Sequence, residues 1–309
     1  MLNLLLFQQI AKLFILIFLG WAIVRAGILK SEDSKTLSMI LLYIITPCVC
    51  ISGFQVERTA ENSQMVELAL LSALVMNGLC ILLGALAARL FHLDVVEEAS
   101  IQYPNAGNLI IPLVSFIFGS EWVMYVTVYA MIQTILDWTH ARILISGKRK
   151  ISLRDLICNV NILAIMLGLF LFIFQLRLPT VIGSAFSMAG DTIGPVAMLI
   201  IGMLMAGIDM QRLRSYRQIW KPVLLRLIIC PIITVLLLRV IGAASWIPDG
   251  HSILLTVYLA CITPACATVT SMAQLYDRDA EYSSALYVLT TLFSILTMPL
   301  MVWVFEVLI

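Results

Sequence analysis

Charged residues are scarce in this chain: Asp, Glu, Lys and Arg make up 12% of 309 residues, where a soluble domain carries about a quarter. Beside them stand 61% hydrophobic residues, more apolar surface than one soluble core can hide, which excludes an ordinary globular protein. A net charge of +1 offers no basic field to a phosphate backbone, so no nucleic-acid partner is expected. Histidine is down to three, in scattered positions, which argues against a metal enzyme. The seven cysteines, Cys48, Cys50, Cys80, Cys158, Cys230, Cys261 and Cys266, lie in apolar stretches without a Cys-x-x-Cys pair. They read as small packing residues rather than a disulfide framework or a zinc site. Gly-x-Ser-x-Gly, a phosphate loop and His-Glu-x-x-His are all missing. Enzyme readings thus have no starting point, and no cofactor or metal is expected.

What is present is a series of apolar runs, each long enough to cross about 30 Å of hydrocarbon. They fall at about 2–24, 36–54, 66–90, 98–119, 121–146, 155–175, 185–208, 218–241, 251–275 and 281–308. Lipid offers the backbone no hydrogen bonds, so runs of this length must be helical. The expected fold is an all-α membrane protein of ten transmembrane helices with short connections. Fourteen of the nineteen lysines and arginines fall in the odd-numbered loops, which places those loops in the cytoplasm and both termini outside. The densest patches, Lys148 to Arg154 and Arg212 to Lys221, read as topology determinants beside anionic lipid. Trp122, Trp220 and Trp246 stand at span ends as interfacial anchors. Residues 1–25 lack a basic leader and a small-residue cleavage site, and are read as the first permanent helix.

Two spans are interrupted at matching places. Span 4 carries Tyr103-Pro104-Asn105-Ala106-Gly107-Asn108, then Pro112; span 9 carries Ile262-Thr263-Pro264-Ala265-Cys266-Ala267-Thr268. Ser38-Met39 and Thr46-Pro47 in span 2 are echoed by Ser187-Met188 and Gly194-Pro195 in span 7, also five spans on. Five is odd, so the second half enters the membrane from the opposite side. The two five-helix repeats are therefore inverted, and the broken helices 4 and 9 cross near the midplane.

Interrupted helices expose backbone. Pro104, Pro112 and Pro264 donate no hydrogen bond, Gly107 frees the chain, and Asn105 and Asn108 bring amides that both donate and accept. A half-helix that starts after such a break presents free N–H groups and a positive dipole end, a seat for a carboxylate. Thr263, Cys266 and Thr268 add smaller groups in span 9, and Thr46 joins them as a candidate binding residue. With no Lys or Arg in either break, dipoles and amides would have to hold an anion unaided. In span 5, Gln133, Asp137 and His140 share a face at i, i+4 and i+7, and a carboxyl at that depth points either to a coupling relay or to a structural pair with His140. Lys12 and Asp191 read as structural charges able to pair, and Arg226 as a side chain snorkelling to the cytoplasmic interface.

These segments resemble the auxin efflux carrier family over essentially the whole chain. The likeness rests on Gly20-Trp21 through Gly27-Ile28-Leu29, Thr46-Pro47, the Pro104 to Leu113 break and Gly194-Pro195 through Gly202. Thr263 to Ala267, Leu289 to Leu292 and Thr297 to Leu300 complete it. The resemblance implies a scaffold of helices 1–2 (residues 1–57) and 6–7 (151–210) that forms a homodimer. It implies a moving transport unit of helices 3–5 (58–150) and 8–10 (211–309), which carries a small organic anion at the crossing of helices 4 and 9. It further implies residence in the bilayer of a cell membrane, here a bacterial inner membrane. Ile110 stands where many members have glycine, and Asn159-Val160 and Ala265-Cys266 stand where many have Asn-Pro. The long central loop of the plant exporters has no counterpart. A monoanion leaving an inside-negative cell gains about 2.3 kcal/mol per 100 mV, so efflux can run uncoupled. A sodium- or proton-coupled organic acid symporter is the alternative, and a cation/proton antiporter a more distant one.

Overall fold

Apolar segments that lack water must satisfy their peptide groups internally, and the described residues are accordingly helical, with no strand among them. The computed structural model describes residues 15–55, 57, 60–106, 110–111, 113–114, 118–147, 160–207, 216 and 218–309. The helices are α1 Ile15–Arg25, α2 Ser34–Ile40, α3 Thr46–Gly53, α4 Ala60–Phe91 and α5 Val95–Gln102. They continue as α6 Val123–Leu136, α7 Arg142–Ser146, α8 Val160–Ile173, α9 Thr180–Asp191 and α10 Ile193–Ala206. The last are α11 Trp220–Leu224, α12 Cys230–Ile241, α13 Gly250–Cys261, α14 Ala267–Leu275 and α15 Ala280–Leu308. Among the described residues five stretches are long and apolar enough to cross a membrane: Ser31–Gly53, Ser63–Phe91, Thr180–Ala206, Trp220–Ile241 and Ala280–Leu308. Shorter apolar helices stand beside them. This is an integral, multi-pass, all-helical membrane protein.

Among the described residues three complete π turns interrupt the α-helical pattern. Two of them, Leu41–Ile45 and Leu225–Ile229, lead into Thr46-Pro47 and Cys230-Pro231. Proline lacks an N–H and its ring crowds the preceding turn, which favours the wider winding there. Thr46 answers by donating its hydroxyl to the Leu41 carbonyl at 2.8 Å. The third, Asp137–Ala141, has no proline and contains Asp137 and His140.

The chain divides into two compact units. The first comprises residues 1–58, 107–124 and 159–215. Within it α3 packs on α8 and α9, and α10 packs on α2. Helices α1 and α10 touch at backbone level: a Cβ on Gly20 would strike the Leu199 carbonyl, and one on Gly202 the Ile17 carbonyl. Such close approach, with small residues at the seam, is how helices associate in lipid. The second unit comprises residues 59–106, 125–158 and 216–309. Here α4 packs on α5 and α13, while α15 packs on α12 and α14. Its largest fully buried side chains are Arg226, Tyr103, Tyr129 and Tyr258. An arginine at the head of that list is the feature that organises the site.

Candidate functional site: a paired crossing of two broken helices

Each break follows from local chemistry. Helix α5 starts on a capping box, in which the Asp94 carboxylate accepts from Val96 N–H at 3.0 Å and Glu97 accepts from Asp94 N–H at 2.9 Å. It ends at Gln102, because Pro104 pushes the residue before it out of the helical region, and Tyr103 lies at φ −109, ψ 109. Helix α13 ends at Cys261, three residues before Pro264, and the chain re-enters helix after Cys266 at φ −76, ψ 135.

The two extended pieces pair with each other. Pro104 stands opposite Ala265 in an isolated antiparallel bridge. Asn105 N–H donates to the Pro264 carbonyl at 2.8 Å, and Cys266 N–H donates to the Tyr103 carbonyl at 3.0 Å. In this register Pro104 and Ala265 form the non-hydrogen-bonded pair, whose own backbone groups point away from the partner strand. Proline's missing donor therefore costs the pairing nothing. Side chains take the outward groups: Gln133 Nε2 donates to the Pro104 carbonyl, and Ala265 N–H donates to Thr290 Oγ1 at 3.2 Å.

Arg226, on the π turn between α11 and α12, is 1% exposed; four of its five N–H groups go to carbonyls of this crossing and the fifth to the Cys80 thiol of α4. Nε donates to the Thr263 carbonyl at 3.0 Å, and Nη2 to the Thr263 carbonyl at 2.8 Å and to the Cys261 carbonyl. Nη1 donates to the Ile101 carbonyl at 3.0 Å and faces Cys80 Sγ at 3.9 Å. Ile101 and Cys261 belong to the last turns of α5 and α13, whose carbonyls have no helical partner and carry the negative dipole end. The expectation that Arg226 snorkels to the interface is thus corrected: two helix ends converge on it and satisfy it in place. The crossing accordingly has a cation within it, although neither break contains one.

The span 5 face divides. Gln133 and Asp137 are buried, with the Gln133 amide beside the Asp137 carboxyl, and Asp137 Oδ1 has no hydrogen-bond partner among the described residues. His140 turns elsewhere: its Nδ1 pairs with the Tyr103 hydroxyl at 2.6 Å, so the Asp137–His140 pair weighed from spacing is not formed.

Pro104, Asn105, Thr263, Pro264, Cys266 and Gln133 are brought together at the crossing, with Asp137 beside Gln133. Thr268 is half-buried in the first turn of α14, next to Cys266. Thr46 belongs to the first unit, and its hydroxyl is engaged with Leu41. Gly107, Asn108, Pro112 and Lys12 lie outside the described residues. Asp191 is exposed at the end of α9. Sequence reasoning missed Thr290 and Tyr287, whose phenol faces the Asn105 side chain. The only hint of them was small polar residues on an otherwise apolar span 10.

Backbone amides, a buried asparagine and a fixed cation can bind a small polar solute, but they supply no nucleophile with a base. Broken helices that meet inside a multi-pass bundle are the arrangement in which membrane transporters place their binding sites. The sequence profile of the membrane transport protein family, the auxin efflux carrier family, matches residues 5–153 and 147–302, and the chain belongs to that family. No curated protein matches the chain.

Proposed function

We propose that the protein is an alternating-access carrier of small organic carboxylates, working outward in an elevator-like cycle, with solute held at the crossing. The observation that carries this reading is the reciprocal pairing of Tyr103 to Asn105 with Pro264 to Cys266. That pairing fixes two backbones at mid-helix, where Asn105, Thr263, Cys266 and Thr268 are the binding groups, joined on the reading by Gly107, Asn108 and Thr46. On the family pattern, helices 1, 2, 6 and 7 form a dimeric scaffold, and helices 3–5 and 8–10 move. The whole is ten helices in two inverted repeats, with both termini outside a bacterial inner membrane. A monoanion moving alone carries charge, and an inside-negative potential of 100 mV favours its export roughly fiftyfold.

Reconstituted vesicles with the potential clamped at either sign test this. Saturable carboxylate flux should follow the imposed potential, and flux indifferent to it rejects uncoupled anion movement. Thermal shifts of the purified protein with small carboxylates should shrink in Asn105→Ala; undiminished shifts would move the site elsewhere. A second reading, sodium- or proton-coupled symport of the same acids, is favoured by the buried, unpartnered Asp137 oxygen beside Gln133. There Gln133, Asp137 and His140 are the coupling relay, with His140 joined to Asp137 through the Tyr103 phenol between them, and Asp137→Asn should abolish any dependence of flux on a pH gradient.

A further inference from the structure

Resting on the proposal that solute is held at the crossing, we infer that Arg226 sets the charge of the solute this carrier accepts. It neutralises the two helix C-termini that end there and so leaves the N-terminus of α14 to attract an anion.

The argument is one of charge balance. Helices α5 and α13 both end at the crossing, and each C-terminus is equivalent to about −0.5 charge. Helix α14, Ala267–Leu275, begins there and contributes about +0.5. Left alone, these three ends sum to about −0.5, and a positive end from the half-helix expected after the span 4 break would only cancel it, so the dipoles alone give an anion no net attraction. Arg226 donates to Ile101 in α5, to Cys261 in α13 and to Thr263 just past it, so its unit charge lies on the two negative ends and leaves the crossing net positive. Among the described residues no carboxylate is paired with Arg226, whose partners are backbone carbonyls and the Cys80 thiol; the carboxyl at the crossing is Asp137, beside Gln133, and it opposes this field only when ionised. Its donors are used up, so it is a positioning residue and not a contact for the solute. A buried charge with neutral partners is expensive to keep unless something uses its field. The N-terminus it unmasks follows Cys266, whose side chain makes no cap there, and the buried Asn105 and the unpartnered Oε1 of buried Gln133 stand at the same crossing.

The test compares purified wild type, Arg226→Lys, Arg226→Gln and Cys80→Asp by thermal shift, each with propionate, malonate and benzoate beside the corresponding neutral amides. Cys80→Asp sets a carboxylate against an intact Arg226 and so removes its field without removing its hydrogen bonds. Wild type should prefer carboxylates; Arg226→Gln and Cys80→Asp should lose that preference by roughly thirtyfold, the effect of a unit charge about 8 Å away at an effective dielectric of about 20. Lysine should keep most of it. Equal loss in Lys and Gln, or a preference preserved in Cys80→Asp, would mean that Arg226 only braces the crossing and would overturn the inference. If neither Arg226 variant folds, Cys80→Asp decides alone. A wild type indifferent to carboxylates refutes the carrier proposal itself and this inference with it, whereas a wild type that discriminates beside variants that do so equally refutes the inference alone.

Discussion

Replacing Thr290 by valine should loosen the crossing, while the same replacement one residue on should not. Ala265 is 1% exposed, and its N–H has Thr290 Oγ1 as acceptor at 3.2 Å. Valine has nearly the same shape, so no cavity opens, but the amide is left buried without an acceptor. That state costs about 1–3 kcal/mol. The threonine's own proton goes to the Leu286 and Tyr287 carbonyls at 2.8 and 3.0 Å, inside a continuous helix, so losing it orphans nothing. Thr291 is the control. It is also buried, and its hydroxyl meets the Tyr287 carbonyl at 2.7 Å and the Tyr287 phenol, which keeps Asn105 as a second partner, so Thr291→Val strands no buried group and should cost less than about 1 kcal/mol. At about 2–4 °C per kcal/mol for a large domain, a loss of about 2 kcal/mol lowers the melting temperature by about 4–8 °C. Thermal unfolding of both purified variants in one detergent reads this directly. Equal destabilisation, or a larger effect at Thr291, would show that Thr290 does not hold the span 9 break.

Two further outcomes follow from the same contacts. Gly202→Ala should destabilise the first unit strongly, because the added methyl meets the Ile17 backbone oxygen; Gly78→Ala, with nothing within 4 Å, should stabilise α4 by about 0.5–1 kcal/mol. Paired melting curves check the contrast, and similar shifts for the two would contradict the close packing of α1 on α10. Asp137 shares its surroundings with Tyr103 and Cys266, and Glu98 lies within reach of Tyr103 and His140. An ionised Asp137 opposes an anion at the crossing, so carboxylate binding should weaken as pH rises and Asp137→Asn should flatten that profile; a persisting slope in the variant would assign it to another group.

The breaks were legible because proline announces itself: Pro104 and Pro264 lack the donor a helix needs, and each helix stops a residue or more before its proline. Asn105, Thr263 and Cys266 followed from adjacency to those prolines. What spacing could not deliver was the direction of side chains near π turns. Gln133 and Asp137 stay together because the widening starts at Asp137, whereas His140 lies inside the turn and leaves the i+7 face for Tyr103. Arg226 lies inside the turn Leu225–Ile229, so neither its face nor its depth could be read by counting residues from the nearest loop.

A cation counted as belonging to the interface is also a cation missing from the charge balance of the site, which is why the breaks alone looked unable to hold an anion except by dipoles. The partners that relocate it, the carbonyls of Ile101, Cys261 and Thr263, are backbone atoms present at every residue and leave no mark in the sequence. A buried arginine satisfied by main-chain carbonyls and a single thiol is therefore invisible to motif reading in principle. The one trace it leaves is a charge in an apolar span, followed within five residues by Pro231, the residue that favours the π turn and with it the placement of the guanidinium.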